Sequence, residues 1–457
     1  MAVSVPTDRD LADIQGNILR AYALPFARYS FVQIFDVAAT KALLHLVVDQ
    51  ITTATRWDAT SKPRATLNVS LSFAGLIALG LPTEALASFP EEFRTGMAGR
   101  AKVLGDSGAN DPQNWQLGGA TVPVDGLLIL NAQSAADLAD QTTFLHGLLA
   151  QHPTALKVVY VLEAAALPNN TEHFGFADGF GQPAIAGSGA PDYPGDGTPV
   201  AGNQWQAVRT GEFVLGYPDE SSQLPAQPSP DELGRNGSFM AFRKLEQKVI
   251  AFRSYLQQTA DAKLEGNVEL LAAKMVGRWR SGCPLELSPA TDNPALAKDV
   301  NLHNDFRYNT DATATKCPFG AHIRRVNPRD DLDATDVLVR RHRIVRRGLP
   351  YGPWLPEGAA DDNQERGIAF VAINASLARQ FEFVQAQWIN KGNFTARMDA
   401  DDRDPLVSSS EAATKFKIPG DGKPPVRLFN LPDFVTVRGG EYFFIPSLTA
   451  IRYLASL

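Results

Sequence analysis

"RYSFVQIF", Arg28 to Phe35, sets Arg, Ser and Gln between aromatic and β-branched residues, which predicts a half-buried strand. Apolar residues then recur at three- and four-residue spacing through "TKALLHLVVDQI" (Thr40–Ile51), predicting a helix, and "ATLNVSLS" (Ala65–Ser72) reads as strand again. Beyond a loop-rich stretch the series repeats: strand "GLLILN" (Gly126–Asn131), helix "SAADLADQTTFLHGLLA" (Ser134–Ala150) and strand "LKVVYVLE" (Leu156–Glu163). The order β-α-β-β-α-β is that of a ferredoxin-like unit, an α+β fold with an antiparallel sheet.

The second half carries weaker signals. Strands are predicted at "EFVLGY" (Glu212–Tyr217), "GSFMAFRKL" (Gly237–Leu245), "VLVRRHRIVRR" (Val337–Arg347) and "GIAFVAIN" (Gly367–Asn374). Helices are predicted after Leu245 and near Ser376, and a closing strand pair around "FVTVRGGEYFFIP" (Phe434–Pro446). A Gly/Pro-rich bridge, "AGSGAPDYPGDGTPVAGN" (Ala186–Asn203), reads as irregular loop. At 457 residues the chain exceeds what one core organises, so two domains are expected: 1–165 and 166–457, the second another α+β unit.

Composition narrows the function. A net charge of −7, from 43 basic and 50 acidic residues, argues against a general nucleic-acid or anionic-membrane binder. No apolar run approaches the ~20 residues of a membrane span, and the N-terminus lacks the marks of a secretory signal. Two cysteines, Cys283 and Cys317, give neither a disulfide framework nor a zinc knuckle, and no CxxCH haem-attachment site is present. A cytoplasmic or otherwise reducing compartment is expected.

One loop gathers unusual chemistry. "HFGFADGFGQP" (His173–Pro183) sets Asp178 among glycines and phenylalanines, directly after "PNNTE". Asp-Gly marks a tight turn, whereas a carboxylate ringed by apolar side chains can be a desolvated proton carrier. Gly179, Gly181 and Ala184 spell G-x-G-x-x-A, but the strand before them ends near Glu163 and Pro183 removes an amide, against a dinucleotide fold. Neither a phosphate-binding P-loop, a nucleophile elbow nor an H-E-x-x-H helix occurs. Of the seven histidines, His45 and His146 fall on predicted helices as structural residues and His152 in a connecting loop. His322, in "CPFGAHIRRVNPRDD" (Cys317–Asp331), follows small and apolar residues and precedes three arginines. That suits an imidazole facing an apolar cofactor with an anionic rim, such as haem.

"GFADG", "CPFGAHIRRVNPR" and "HRIVRRGLPYG" (His342–Gly352) together resemble the dye-decolourising peroxidase family, in this order and at similar separations. The likeness runs from "DIQGNILR" (Asp13–Arg20) to the last strands and is nearest the longer, fungal-like branch. It implies two ferredoxin-like domains, with haem b in the C-terminal one. By this resemblance His322 is the axial ligand of the haem iron. Its second ring nitrogen would face a carboxylate from "DDRDPLV" (Asp401–Val407), Asp404 being preferred and Asp402 the rival. Asp178 would be the distal proton acceptor and Arg346 the distal cation, with Arg347 turned away by strand alternation. The phenylalanines would keep Asp178 from titrating as a solvated acid. The other arginines of "VRRHRIVRR" would mostly be solvated.

The same resemblance gives Arg329 a haem propionate, Ile368 and Phe370 the peroxide channel, and Trp388 an electron relay from bound substrate. The acidic "DADDRD" (Asp399–Asp404) reads as solvated loop rather than a metal site. The activity implied is reduction of hydrogen peroxide through a ferryl radical state, with one-electron oxidation of bulky phenols, aromatic amines or anthraquinone-type dyes. Turnover is expected to depend strongly on pH and to favour the acidic side. The alternatives are a non-catalytic haem-binding or iron-recovering protein and a haem-free structural module.

Overall fold

A computed structural model describes residues 4–58, 60–120, 122–200, 204–332, 337–393, 395, 398–399, 402–408 and 414–457. Its frame is a nine-stranded antiparallel sheet among these residues. The first four strands are β1 (Phe26–Ile34), β2 (Ala65–Leu71), β3 (Gly126–Ala132) and β4 (Leu156–Ala165). Helix α1 (Val37–Val47) joins β1 to β2, and α2 (Ala135–Leu149) joins β3 to β4. Both helices begin where the sequence supplies a side-chain acceptor. Asp36 takes the amide of Ala39 at 3.0 Å and Ser134 that of Asp137 at 3.1 Å.

The second set comprises β5 (Ser238–Gln247), β6 (Val345–Arg346), β7 (Leu349–Tyr351), β8 (Gly367–Asn374) and β9 (Val435–Ile445). The order across the sheet is β4-β1-β3-β2-β9-β5-β8-β6, with β7 also on β8. Each half therefore runs fourth-first-third-second, taking β6 and β7 together as one interrupted strand, and the halves meet where Leu71 of β2 pairs with Phe444 of β9. Two ferredoxin-like units in one curved sheet confirm the expected α+β class.

Alternation along β1 explains the layering. Ala27, Tyr29 and Phe31 enter an apolar core shared with Met240, Phe242, Val371 and Phe443 of the second unit. By the same alternation Val32 and Ile34 face the other way, against α1 and α2, while the one-residue register shift at this point is taken up by β4. Lys244 of β5 reaches the Tyr160 hydroxyl of β4, the edge strand of the first unit, at 2.9 Å and pairs with Glu365, tying the two units together a second time.

Three sequence expectations fail, each for a physical reason. Glu212–Tyr217 is not a strand but a buried turn. The amides of Phe213 and Val214 bond back to the Thr210 carbonyl, and Phe213, Val214, Leu215 and Tyr217 are enclosed on all sides. A short apolar run buried all round carries no period by which to exclude a strand. Val337–Arg347 is one helical turn (Val337–Arg340) followed by the two-residue β6. Phe434–Pro446 holds one long strand, β9, instead of a pair. Gly439 and Gly440 make no hairpin there; a Cβ on Gly439 would lie 2.7 Å from Leu117 and one on Gly440 2.5 Å from the Met97 sulfur, so close packing requires them. The helix expected near Ser376 exists, wound as π-helical turns over Ala378–Glu382 and Val384–Ile389. No helix among the described residues is long and apolar enough to cross a membrane.

Candidate active site

The loop after β4 is shaped by its own polar residues. Asn169 and Asn170 both adopt left-handed backbone, at φ 59° and 52°, a conformation asparagine tolerates. The chain then doubles back through a bridge between Thr171 and Ala177, and the amide of Asp178 donates to the Asn170 carbonyl at 2.9 Å. Gly179, at φ 94°, turns the backbone so that its N–H meets the Asp178 Oδ1 at 2.6 Å.

Arg346 holds the same oxygen. Its Nη1 lies 3.1 Å from Asp178 Oδ1, its Nη2 donates to the Phe180 carbonyl at 2.8 Å, and its amide donates to Gln182 Oε1 at 3.0 Å. Arg347 leaves the other face of β6 and donates to the Asn17 carbonyl at 3.0 Å, as alternation requires. The Asp178 side chain is 45% exposed, and that exposed part borders an internal cavity. Burial among apolar groups would raise its pKa. Arg346 and the Gly179 amide outweigh burial and hold it below the ordinary carboxyl value. The apolar setting anticipated from the phenylalanines is thus present, but the guanidinium decides the sign.

His322 opens the short helix α3 (His322–Val326) and borders the same cavity. Its Nδ1 is 2.8 Å from Asp404 Oδ2. Asp404 is fully buried, and its other oxygen accepts the amides of Leu406 and Val407 at 2.9 and 3.0 Å. Burial acts to raise this acid's pKa too, but His322, Arg325 and the Leu406 amide bring it below the ordinary value. The carboxylate therefore fixes the imidazole tautomer, leaving Nε2 for a ligand. Asp402, the rival, instead accepts the Asp399 amide at 3.0 Å through its side chain. Ala400 and Asp401 lie outside the described residues; among those described, no group of His, Cys, Asp and Glu forms a metal cage.

The cavity measures about 310 Å³. One wall is the sheet, with Arg243, Leu245 and Gln247 from β5, Ile368 and Phe370 from β8, and Val435 and Val437 from β9. Facing elements contribute Val276, Ile323, Val384, Ile389 and Leu406. Asn110 reaches it from the first half of the chain. One part of the lining is cationic. Arg278 donates to Asn304 Oδ1 at 2.5 Å, Arg329 to the Asn304 and Phe306 carbonyls at 2.9 and 2.7 Å, and Arg343 to the carbonyls of Gly181 and Asp196.

Of the residues singled out from sequence, Asp178, Arg346, His322, Arg329, Ile368 and Phe370 border this one cavity, and Asp404 stands behind His322. Trp388 does not border it. It is 4% exposed and packs edge-on against His342 and Phe383, at ring separations of 5.2 and 5.4 Å. The idea that the other arginines of "VRRHRIVRR" are solvated is corrected. Arg343 is buried on the cavity and Arg340 pairs with Glu220. Glu172 and Arg278, also on the wall, carry no motif of their own.

Comparison with known proteins decides what this cavity belongs to. Residues 13–168 match the family model described as the DyP dimeric alpha+beta barrel domain. Peroxidase 2 of Mycetinis scorodonius is 33% identical over 474 aligned residues, covering 98% of this chain and 88% of that protein. The chain belongs to the dye-decolourising peroxidase family.

Solved peroxidases of this family superpose on nearly the whole chain. A fungal DyP-type peroxidase from Auricularia auricula-judae gives a TM-score of 0.84 at 29% identity, over 99% of this chain and 100% of that one. A dye-decolorizing peroxidase in complex with 2,6-dimethoxyphenol gives 0.83 at 30% identity, over 97% and 99%. The chain is thus a peroxidase, an oxidoreductase with peroxide as electron acceptor. Haem, on which the family depends, fits the cavity. An imidazole with one nitrogen engaged and one left for a metal, apolar walls for a flat macrocycle, and arginines for carboxylates are the donor set such a group needs.

Proposed function

We propose that this peroxidase binds one haem b on His322 and uses Asp178 with Arg346 to activate hydrogen peroxide, then oxidises bulky aromatic reductants one electron at a time. When bound, haem supplies the redox-active iron at which the peroxide O–O bond is cleaved. Asp178 takes the proton from the inner peroxide oxygen and returns it to the outer one, which leaves as water. Its depressed pKa keeps it in the accepting form well into the acidic range. Arg346, tied to the same carboxylate at 3.1 Å, offers permanent positive charge to the departing oxygen. Asp404 holds the His322 imidazole in one orientation and raises its basicity as a ligand.

On this reading Arg329, with Arg278 and Arg343, faces the propionates, and Ile368 and Phe370 line the approach of peroxide. Trp388 sits among aromatic rings, a place from which it relays electrons. Residues 1–165 form the N-terminal domain and 166–457 carry the cofactor. Phenols are favoured as reductants because a structural neighbour holds 2,6-dimethoxyphenol; aromatic amines and anthraquinone-type dyes extend that class. Both cysteines are free and buried, in keeping with a reducing, cytoplasmic setting.

The observation that carries the proposal is that Asp178 with Arg346, and His322 with Asp404, border one cavity. Stopped-flow mixing of the haem-loaded enzyme with peroxide tests it. Asp178→Asn should slow the spectral change by about 100- to 10,000-fold, the usual range for lost acid–base catalysis. Wild-type rates in both Asp178→Asn and Arg346→Leu would remove these roles.

A further inference from the structure

Glu172 is the second carboxylate on the cavity wall, six residues before Asp178. Its oxygens are spent on its own loop. Oε2 accepts the Phe174 amide at 2.8 Å and Oε1 the Phe176 amide at 2.9 Å, while the Glu172 amide donates to the Phe176 carbonyl at 2.9 Å. The Gln247 side chain, at the end of β5, donates to Oε2 as well. One carboxylate thus closes the turn Glu172–Phe176 and bolts it to the sheet wall, and the next residues are Ala177 and Asp178.

We propose that Glu172 is the positioning residue of the peroxide step: by gathering the Phe174 and Phe176 amides and the Gln247 side chain, it sets the loop so that Asp178 stands against Arg346. The inference rests on the role assigned to Asp178 above. Arg280 supports the same turn from outside, donating to the Phe174 carbonyl and accepting the Ala177 amide through its own carbonyl, but it makes no contact with Glu172 that could replace the tie to β5. Burial pushes the Glu172 pKa up, with the negative charge of Asp178 adding to it, against the pull of its three donors. What holds the loop is the set of acceptor oxygens that meet the Phe174 and Phe176 amides and the Gln247 side chain.

Those acceptors supply the test. The Gln247 Oε1 is buried without a partner among the described residues, so Gln247 can flip to accept from a glutamine at position 172. Glu172→Gln keeps one acceptor oxygen and sets an NH2 group against the other loop amide; Glu172→Ala removes both acceptors. In the haem-loaded enzyme, Glu172→Ala should slow the peroxide step by about 100-fold, the cost of misplacing a catalytic group by an ångström. Its later reduction by 2,6-dimethoxyphenol should keep the wild-type rate, and Glu172→Gln, with one loop amide still accepted, should slow the peroxide step clearly less than Glu172→Ala does. Hydrogen exchange gives a readout independent of turnover: the Phe174 and Phe176 amides both lose protection in Glu172→Ala, and one of them keeps it in Glu172→Gln.

Should Glu172→Ala not fold, Gln247→Leu removes the tie to β5 while leaving both loop amides on Glu172, and is expected to slow the peroxide step several-fold. A wild-type peroxide step in Glu172→Ala, or in Gln247→Leu where that stands in, overturns the inference while a slow Asp178→Asn leaves the site reading intact. Equal loss in Glu172→Gln and Glu172→Ala also overturns it. A wild-type Asp178→Asn removes the role of Asp178 and this inference with it.

Discussion

The two halves of the molecule share one strand order and differ in what lies between sheet and crossovers. In the first unit α1 and α2 close onto the sheet through Leu43, Leu44, Val47 and Leu145 against Val32, Val69 and Leu128, leaving a void of about 30 Å³. In the second unit the same place holds the cavity of about 310 Å³. The frame is kept, but the first crossover grows from residues 35–64 to residues 248–344, which bring Arg278, His322 and Arg329. The second crossover brings Asp404, so the His322–Asp404 bond joins the counterparts of two segments that in the first unit meet through α1, α2 and structural hydrogen bonds such as that of the Phe35 amide to the Ala155 carbonyl at 2.9 Å. On the sheet face, Arg243 and Gln247 stand where the first unit has apolar fill. A ferredoxin-like unit becomes a site when its crossovers stop filling the space beneath them.

Separate changes in each unit would break or sharpen that contrast. The largest effects should be complementary. Leu130→Ala, in the packed first unit, should cost about 2–5 kcal/mol of stability, read as a lowered unfolding midpoint, and leave the peroxide step of the folded enzyme unchanged. Arg346→Leu should do the reverse, lowering the peroxide step by about 100- to 1,000-fold at nearly wild-type stability. If both variants lost stability and rate alike, the two units would not be separable in this way.

Asp404→Ala comes next. Freed of its orienting carboxylate, His322 should hold haem about 10- to 100-fold more weakly, measured by haem titration of the apoprotein.

The smallest effect is a shift in pH dependence. The accepting form of Asp178 is the carboxylate, and its pKa is depressed below 3.8, so the peroxide step should persist as pH falls past 3.8 and decline only below it. In Arg346→Leu the main lowering influence is gone while burial remains, so the declining limb should move to higher pH. Rate–pH profiles of the two proteins read this directly, and coincident limbs would separate Asp178 from Arg346.

Much of the frame was legible in sequence because one-sided burial leaves a period. β1, β2, β3, β4, β5 and β8 all lie where alternation or β-branched runs predict them. What failed lacked that signal. Glu212–Tyr217 is enclosed on every side, and the two glycines in β9 mimic a turn while serving close packing. In the site, Asp178, His322 and Arg346 sit in motifs short enough to be seen. Glu172 was read only as part of a polar run, because its meaning depends on Gln247, 75 positions away. Arg278 and Arg343 likewise acquire a role only where the loop at Asn304 and the Gly181–Asp196 stretch meet them.

Crystals of the haem-loaded enzyme, with anomalous scattering recorded at the iron edge, test the central claim most directly. Iron should be bound by His322 Nε2, with Asp178 and Arg346 facing the opposite side of the macrocycle inside the same cavity. Iron held by any other side chain, or Asp178 and His322 on one side of the haem, would contradict it.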